Sequence, residues 1–407
     1  MEINIEYTRG ISKITATVND PAGQDLDEYA FYLMRKSGEL QPVKVAVGWY
    51  STQRSYCFKL PIIKGHYYTI CFKKASANSE QSRVISDHIY VDDFPDYKIP
   101  SKVYVYANER EFFNTREFHD GTHYVTLDSA TLSFKIVNKK TETCFVSLAA
   151  AAKRDGTSDP IFTGVGLSKQ IESSSILVSD PSVHADPALT LGWYAGNKNC
   201  ELQLDLPRYI NHILCALNAV RTILFGSSGG GFATLFYSTR ITNAIALAVN
   251  PQTSIARFHA HLVWDYMKSC FNVNKSKEPL DSVLSKYRVQ YSLVPVFERL
   301  GFMPKVVYLQ NRSDWHYEEH LMYFLKSIGV NIQSEPQNVE LYSDSLYTIV
   351  GRTWGDGHVP PPKELIVDLI RELEGDPTYW AGQGFVQNKE QIIKVVSGCK
   401  IEVENDR

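Results

Sequence analysis

Between residues 1 and about 92 hydrophobic and polar positions alternate in short runs. Ile14, Ala16 and Val18 interleave with Lys13, Thr15 and Thr17, the period of two that turns one strand face inward. Similar runs cover Tyr29 to Met34, Val43 to Val47, Tyr56 to Leu60, Tyr67 to Phe72 and His88 to Val91. Turn-formers such as Asn19-Asp20-Pro21 and Lys64-Gly65 separate them. This spacing predicts an all-β accessory domain over residues 1–92, a sandwich of immunoglobulin-like type. The polar, proline-marked stretch Asp92 to Tyr97 reads as a linker.

After residue 101 strand-like runs alternate with helical ones. Strands are expected at Thr131 to Val137, Cys144 to Leu148, Ile176 to Ser179, Thr222 to Phe225, Ala244 to Val249, Lys305 to Leu309 and Val339 to Tyr342. Helical patterns fall at Pro207 to Ala216, from about Gly230, at Tyr317 to Ser327 and at Lys363 to Leu373. Such alternation predicts an α/β domain over residues 101–375, a mostly parallel sheet flanked by helices. Residues 254–300 interrupt the alternation as a helical cap insertion. Residues 376–407 form a weakly patterned tail.

Composition narrows the function classes. The 407 residues carry 42 Lys and Arg against 45 Asp and Glu, a formal net charge of −3. That balance argues against a nucleic-acid partner, which would need a concentrated basic surface. No run of about 18 apolar residues predicts a transmembrane segment. The acidic, alternating N-terminus is unlike a secretory signal. Seven cysteines, an odd number with no C-x-x-C pair, suggest neither a disulfide framework nor a thiolate zinc site. A cytoplasmic protein is expected.

The chemistry concentrates in Thr222-Ile223-Leu224-Phe225-Gly226-Ser227-Ser228-Gly229-Gly230-Gly231. A buried strand is expected to run into G-x-S-x-G with a helix after it, a pattern that resembles the α/β-hydrolase nucleophile elbow. A nucleophile in so tight a turn needs residues without side chains two before and two after it. Gly226 and Gly230 meet that need about Ser228, whereas Ser227 would require glycine where Phe225 stands. A serine also needs a base. In the expected chain order of serine, acid, histidine, His358 follows the last expected strand, in Gly355-Asp356-Gly357-His358-Val359-Pro360. Asp314 lies just past the strand ending at Leu309 and is the expected acid, with Asp344 second and Asp356 beside the histidine. The oxyanion hole would take the N–H of Gly229 and one from Ala149 or Ala150, after an earlier strand. Trp193 and Tyr194, with Trp315 and Trp354, supply flat apolar faces suited to a sugar ring. A competing motif, His316-Tyr317-Glu318-Glu319-His320, matches H-x-x-E-H, but no third zinc ligand is identifiable and no metal is expected.

Beyond the elbow, the chain resembles hydrolase-like proteins of bacterial capsule and surface-glycan biosynthesis, including accessory-Sec glycoprotein O-acetyltransferases. The resemblance rests on Ser179-Asp180-Pro181, Gly192-Trp193-Tyr194, Phe225 to Phe232, and Asp356-Gly357-His358 with Pro360-Pro361. It implies O-acetylation, or less often deacetylation, of a carbohydrate or glycan acceptor through an acyl-enzyme on Ser228, with Asp314 and His358 completing a triad. No tightly bound cofactor is implied; acetyl-CoA would be the donor of a transferase, and other capsule-biosynthesis proteins are candidate partners. Two further readings compete: a carbohydrate esterase of the same fold, and a non-catalytic component of a glycan-assembly machine.

Overall fold

A computed structural model describes residues 1–8, 13–36, 42–58, 65–76, 81–91, 103–127, 130–152, 160–186, 188–300, 304–330, 332 and 338–398. The expected linker at Asp92 to Tyr97 and the turn residue Lys64 lie outside these. The chain divides into two compact units, Met1–Phe112 and Phe113–Arg407.

The first unit is built from strands Glu2–Thr8 (β1), Lys13–Asn19 (β2), Glu28–Lys36 (β3), Val43–Ser51 (β4), Ser55–Phe58 (β5), Gly65–Lys74 (β6), Gln81–Ile85 (β7) and Ile89–Val91 (β8). Two antiparallel sheets form, β1-β2-β5 and β4-β3-β6-β7, with β8 on β6. The period-two residues face one shared core: Ile14, Ala16 and Val18 from one sheet meet Tyr29, Phe31 and Leu33 from the other. A polar anchor sits at the rim. Lys73 Nζ lies 2.7 Å from Asp20 and 2.8 Å from Asp27. The hydrogen bond from Lys73 and those from Ser76 and Gln24 hold the Asp27 carboxyl well below its ordinary value. This unit also contains strand Val103–Tyr106 (β9) and the short helix Glu109–Phe113 begins in it.

In the second unit nine strands form one sheet: Gly121–Thr126 (β10), Thr131–Val137 (β11), Thr143–Leu148 (β12), Ser174–Val178 (β13), Arg221–Ser227 (β14), Ala244–Val249 (β15), Lys305–Asn311 (β16), Val339–Ser343 (β17) and Leu346–Gly351 (β18). They lie in the order β17-β18-β16-β15-β14-β12-β13-β11-β10. From β13 to β18 the neighbours are parallel; β11 runs antiparallel to β10 and β13, and β17 antiparallel to β18. The crossed order of β12 and β13 followed by regular βα steps is consistent with an α/β-hydrolase arrangement. Central strands buried on both faces read as continuous apolar runs, as in Ile223-Leu224-Phe225.

Amphipathic helices cover the faces. Lys363–Gly375 turns Leu365, Ile366, Leu369, Ile370 and Leu373 inward, three and four residues apart. The segment after Asp376, weakly patterned in sequence, is helical as far as Gly398 and puts Tyr379, Phe385 and Ile392 into the same core. Each such burial is worth about 1.5–3 kcal/mol. Between β15 and β16 the chain passes through helices Ala260–Phe271, Leu280–Ser285 and Val294–Leu300.

The sequence reading gives no strand at β1, β7, β9, β10 or β18, and of these β18 bears on the site. Val339 was expected to open the final strand, but the chain turns back at Asp344-Ser345 and β18 follows, buried throughout. This strand, not β17, leads into the His358 loop. The turn lacks the Asn-Gly or Asp-Gly signature that would have flagged a hairpin.

Candidate active site

The elbow is formed as the glycine spacing requires. β14 ends at Ser227, and a ten-residue helix, Ser228–Tyr237, starts at once. Ser228 has φ 53°, in the left-handed region that side-chain-bearing residues rarely adopt. The glycines make the turn possible by absence of volume. A Cβ on Gly226 would stand 2.3 Å from Gly230 O, and one on Gly230 would stand 2.6 Å from Leu148 O. Ser228 is 9% exposed at the helix N-terminus, where the dipole favours negative charge.

The expected acid and base follow two other parallel strands, β16 and β18. Asp314 follows β16 and its side chain is fully buried; His358 follows β18 and its side chain is 41% exposed. Their contact is short, His358 Nδ1 to Asp314 Oδ2 at 2.6 Å. Burial opposes ionisation of Asp314, but the His358 hydrogen bond, the neighbouring His316 and its amide outweigh it and hold the carboxyl below its ordinary value. With Nδ1 occupied as donor to a carboxylate, His358 keeps a lone pair on Nε2. Asp344 sits in the β17–β18 turn, at the end of the sheet opposite the elbow. That removes it as the alternative acid.

Residues overlooked in the sequence hold this pair in place. Asn250, just after β15 with φ 41°, accepts from Asn311 N–H at 2.7 Å and donates to Val359 O at 2.9 Å. Asn311 Nδ2 donates to the carbonyls of Gly355, Gly357 and Val359. Ser313 Oγ donates to Gly355 O and accepts from Gly357 N–H. The His358 loop is thus tied by three side chains at strand ends. Their sequence signal is position alone: Asn250 directly follows β15, Asn311 closes β16 and Ser313 lies two residues beyond it.

Behind the pair stands a stack of imidazoles. His316 meets the His358 ring at 4.4 Å and the His320 ring at 4.7 Å, edge to face in both cases. His316 Nδ1 donates to Asn250 O, while His320 Nδ1 accepts from Thr253 N–H. Burial pushes His316 down to about 4 and His320 down to about 2, so both are neutral at pH 7. Oxygen or nitrogen atoms of Asp314, His316 and His358 lie within 4.8 Å of one another. Asp314 and His358 are nevertheless engaged with each other, and Glu319 turns outward to pair with Arg257 at 2.6 Å. The H-x-x-E-H stretch is a π-helical turn, Tyr317–Met322, of the kind that often marks functional sites.

Two expectations need correction. Trp193 and Tyr194 are buried, at 1% and 0% exposure, and present no open face to a sugar. They form consecutive left-handed residues, φ 52° and 53°, folded around buried Asp180, which accepts from the Tyr194 and Ser182 amides. Tyr194 Oη donates to Val178 O and accepts from Ala149 N–H, both at 2.6 Å. The Ala149 N–H is therefore committed, which takes it out of the oxyanion hole as the site stands. Ala150 shares with Ala149, Ile161, Asp180, Val183 and Leu191 a pocket of about 20 Å³, room for one small group. Leu191 reaches Gly229, where a Cβ would stand 2.4 Å from its Cδ1. Trp354 is half-buried and lies against Gly351. The exposed aromatic next to the histidines is Trp315, stacked on Phe258 at 5.8 Å and tilted against His259 at 4.9 Å.

No family model matches the chain, and no curated protein does. Solved structures similar to it include the capsule O-acetyltransferase of Neisseria meningitidis serogroup A (14% identity, 69% of this chain and 96% of that one, TM-score 0.40). A mutant of that enzyme has been solved in complex with CoA. The acetyl xylan esterase of Aspergillus awamori (14%, 63% and 99%, TM-score 0.39) and a Rhodococcus esterase (14%, 62% and 98%, TM-score 0.36) are similar as well. The resemblance is to α/β-hydrolase-fold esterases and a capsule O-acetyltransferase, at low identity and low TM-score.

Proposed function

We propose that the chain is a serine-nucleophile acyl-transfer enzyme in which Ser228, His358 and Asp314 act as a triad. The observation that carries this reading is the 2.6 Å Asp314–His358 contact at the sheet edge where the strained Ser228 elbow also emerges. His358 Nε2 takes the proton as Ser228 Oγ attacks the acyl carbonyl carbon, and the carbonyl electron pair moves onto oxygen. That oxyanion is met by the N–H of Gly229 at the helix N-terminus and the N–H of Ala150, two residues past β12. Collapse expels the donor's leaving group, which takes the proton back from His358. An acceptor hydroxyl then gives its proton to His358 and attacks the acyl-enzyme, releasing the ester and restoring Ser228.

The acyl group is acetyl, which suits the small pocket beside Ala150 and Leu191. The acceptor is a hydroxyl of a carbohydrate whose ring stacks on exposed Trp315, itself stacked on Phe258 beside the histidines. A nucleophile only 9% exposed favours a bound acceptor over bulk water. We therefore place O-acetyl transfer ahead of ester hydrolysis, with acetyl-CoA as donor and bacterial surface glycan as the acceptor class. For the first unit we propose immunoglobulin-like connectivity, with β1-β2-β5 facing β4-β3-β6-β7, as an accessory domain.

Acetyl-CoA and p-nitrophenyl acetate, each offered with and without a panel of glycans, test the proposal. A transferase releases thiol faster when its acceptor is present and yields acetylated glycan. Equal release with and without every glycan, giving only acetate, points to the esterase. No release from either donor removes the enzymatic reading.

A further inference from the structure

Gln252 lies three residues beyond β15 and is fully buried. It touches Ser228 twice. Its backbone N–H donates to Ser228 O at 3.1 Å, and its side-chain Nε2 donates to Ser228 Oγ at 3.2 Å. The other end of the same amide, Oε1, accepts from the Trp193 indole Nε1. Chemistry fixes which way this amide faces. An indole N–H is a donor only, so it must meet the amide oxygen, and the NH₂ must then face the serine.

Trp193 has little freedom to release it. Its backbone is held in the left-handed turn, the next amide is taken by Asp180, and its ring packs edge-on against Tyr266 at 5.4 Å and Phe258 at 6.1 Å. Ser228 Oγ forms no hydrogen bond with His358 here; Gln252 is its partner.

We propose that Gln252 is a catalytic hydrogen-bond donor to Ser228 Oγ and that Trp193 is the positioning residue that aims it. The inference rests on Ser228 being the nucleophile. A hydroxyl has two lone pairs, so the bond from Gln252 leaves the Oγ proton free for His358 Nε2. As that proton leaves, negative charge grows on Oγ and the Gln252 bond strengthens. In the acyl-enzyme Oγ is an ester oxygen and a poor acceptor. When the acceptor hydroxyl attacks and the C–Oγ bond breaks, charge returns to Oγ and the bond strengthens again. Gln252 is thus worth most in the two transition states, where binding accelerates reaction.

The test is the second-order rate of fluorophosphonate labelling for wild type, Gln252→Leu, Gln252→Glu, Trp193→Phe and the double variant Trp193→Phe/Gln252→Leu, with thermal melts on each. Gln252→Leu should slow labelling about 100-fold, as loss of one preorganised donor does. Trp193→Phe should slow it about tenfold, and the double variant should be no slower than Gln252→Leu alone, because Trp193 acts through Gln252. In Gln252→Glu the carboxylate cannot donate but its protonated form can, so its rate relative to wild type should climb as pH falls. Should Gln252→Leu fail to melt cooperatively, Trp193→Phe and the pH ratio of Gln252→Glu carry the test. A wild type that does not label refutes the nucleophile itself. Labelling of wild type with folded variants within about twofold of it, or a flat pH ratio, overturns the role of Gln252 alone.

Discussion

The elbow and the His358 loop bring the proposed reacting groups to the same edge of one sheet by opposite means. The elbow is local. Ser228 is aimed by two glycines of its own segment, Gly226 and Gly230, where lack of side chains lets backbone meet backbone, as in the 2.3 Å clearance a Cβ would find at Gly226. The loop is held from afar. Gly355, Gly357 and Val359 are tied by Asn250, Asn311 and Ser313, about 40 to more than 100 positions earlier in the chain. The nucleophile is nearly closed off from solvent, whereas His358 is open on one side. Steric necessity fixes the first, and a polar network fixes the second.

The largest effects should come from removing the reacting groups. Ser228→Ala is expected to lower turnover of p-nitrophenyl acetate by four or more orders of magnitude, with an unchanged melting temperature (~10⁴ or more). Asp314→Asn should lower kcat by about 10³–10⁴, since an amide cannot hold the imidazole in the tautomer that leaves Nε2 free. Gly226→Ala then separates the two regions. It should destabilise the protein by about 3 kcal/mol or more in urea unfolding, through contact with Gly230 O. Asn311→Ala should act the other way: stability shifts by about 1–2 kcal/mol, while kcat falls roughly 10- to 100-fold as the His358 loop loosens.

The prediction that bears least on activity is a pH dependence of stability. Folded His316 and His320 are held neutral, at about 4 and about 2, against 6.5 for the unfolded side chain. As pH falls from 6.5 toward 4 the unfolded chain gains protons that the folded one refuses. Stability present above 6.5 is therefore lost as pH falls, the His316 share by about pH 4 and the His320 share on toward pH 2, by on the order of a few kcal/mol in all. His320→Gln, which keeps an acceptor for the Thr253 N–H, should flatten the slope in denaturant titrations. Asp314, held below its ordinary 3.8, adds stability that persists above that value and disappears only as pH falls through its lowered one.

The same contrast explains what could be read from the chain. G-x-S-x-G is contiguous, so steric logic picked Ser228 over Ser227 without coordinates. Asp314 and His358 could be placed by strand order, although β18 itself was overlooked and Val339 to Tyr342 was taken as the final strand. Asn250, Asn311 and Gln252 were not legible. Each is a single polar residue past an apolar run, and its partners are set by the parallel register of β14, β15, β16 and β18. Trp193 and Tyr194 were misjudged because aromatic residues beside glycine suggest an open loop. Asp180 instead satisfies their turn internally and draws them into the core.

The central claim is that Ser228 is an activated nucleophile, and intact-mass analysis after fluorophosphonate treatment of wild type and Ser228→Ala tests it most directly. The account predicts a single adduct on wild type and none on the variant. An adduct on both proteins, or on neither, would contradict it.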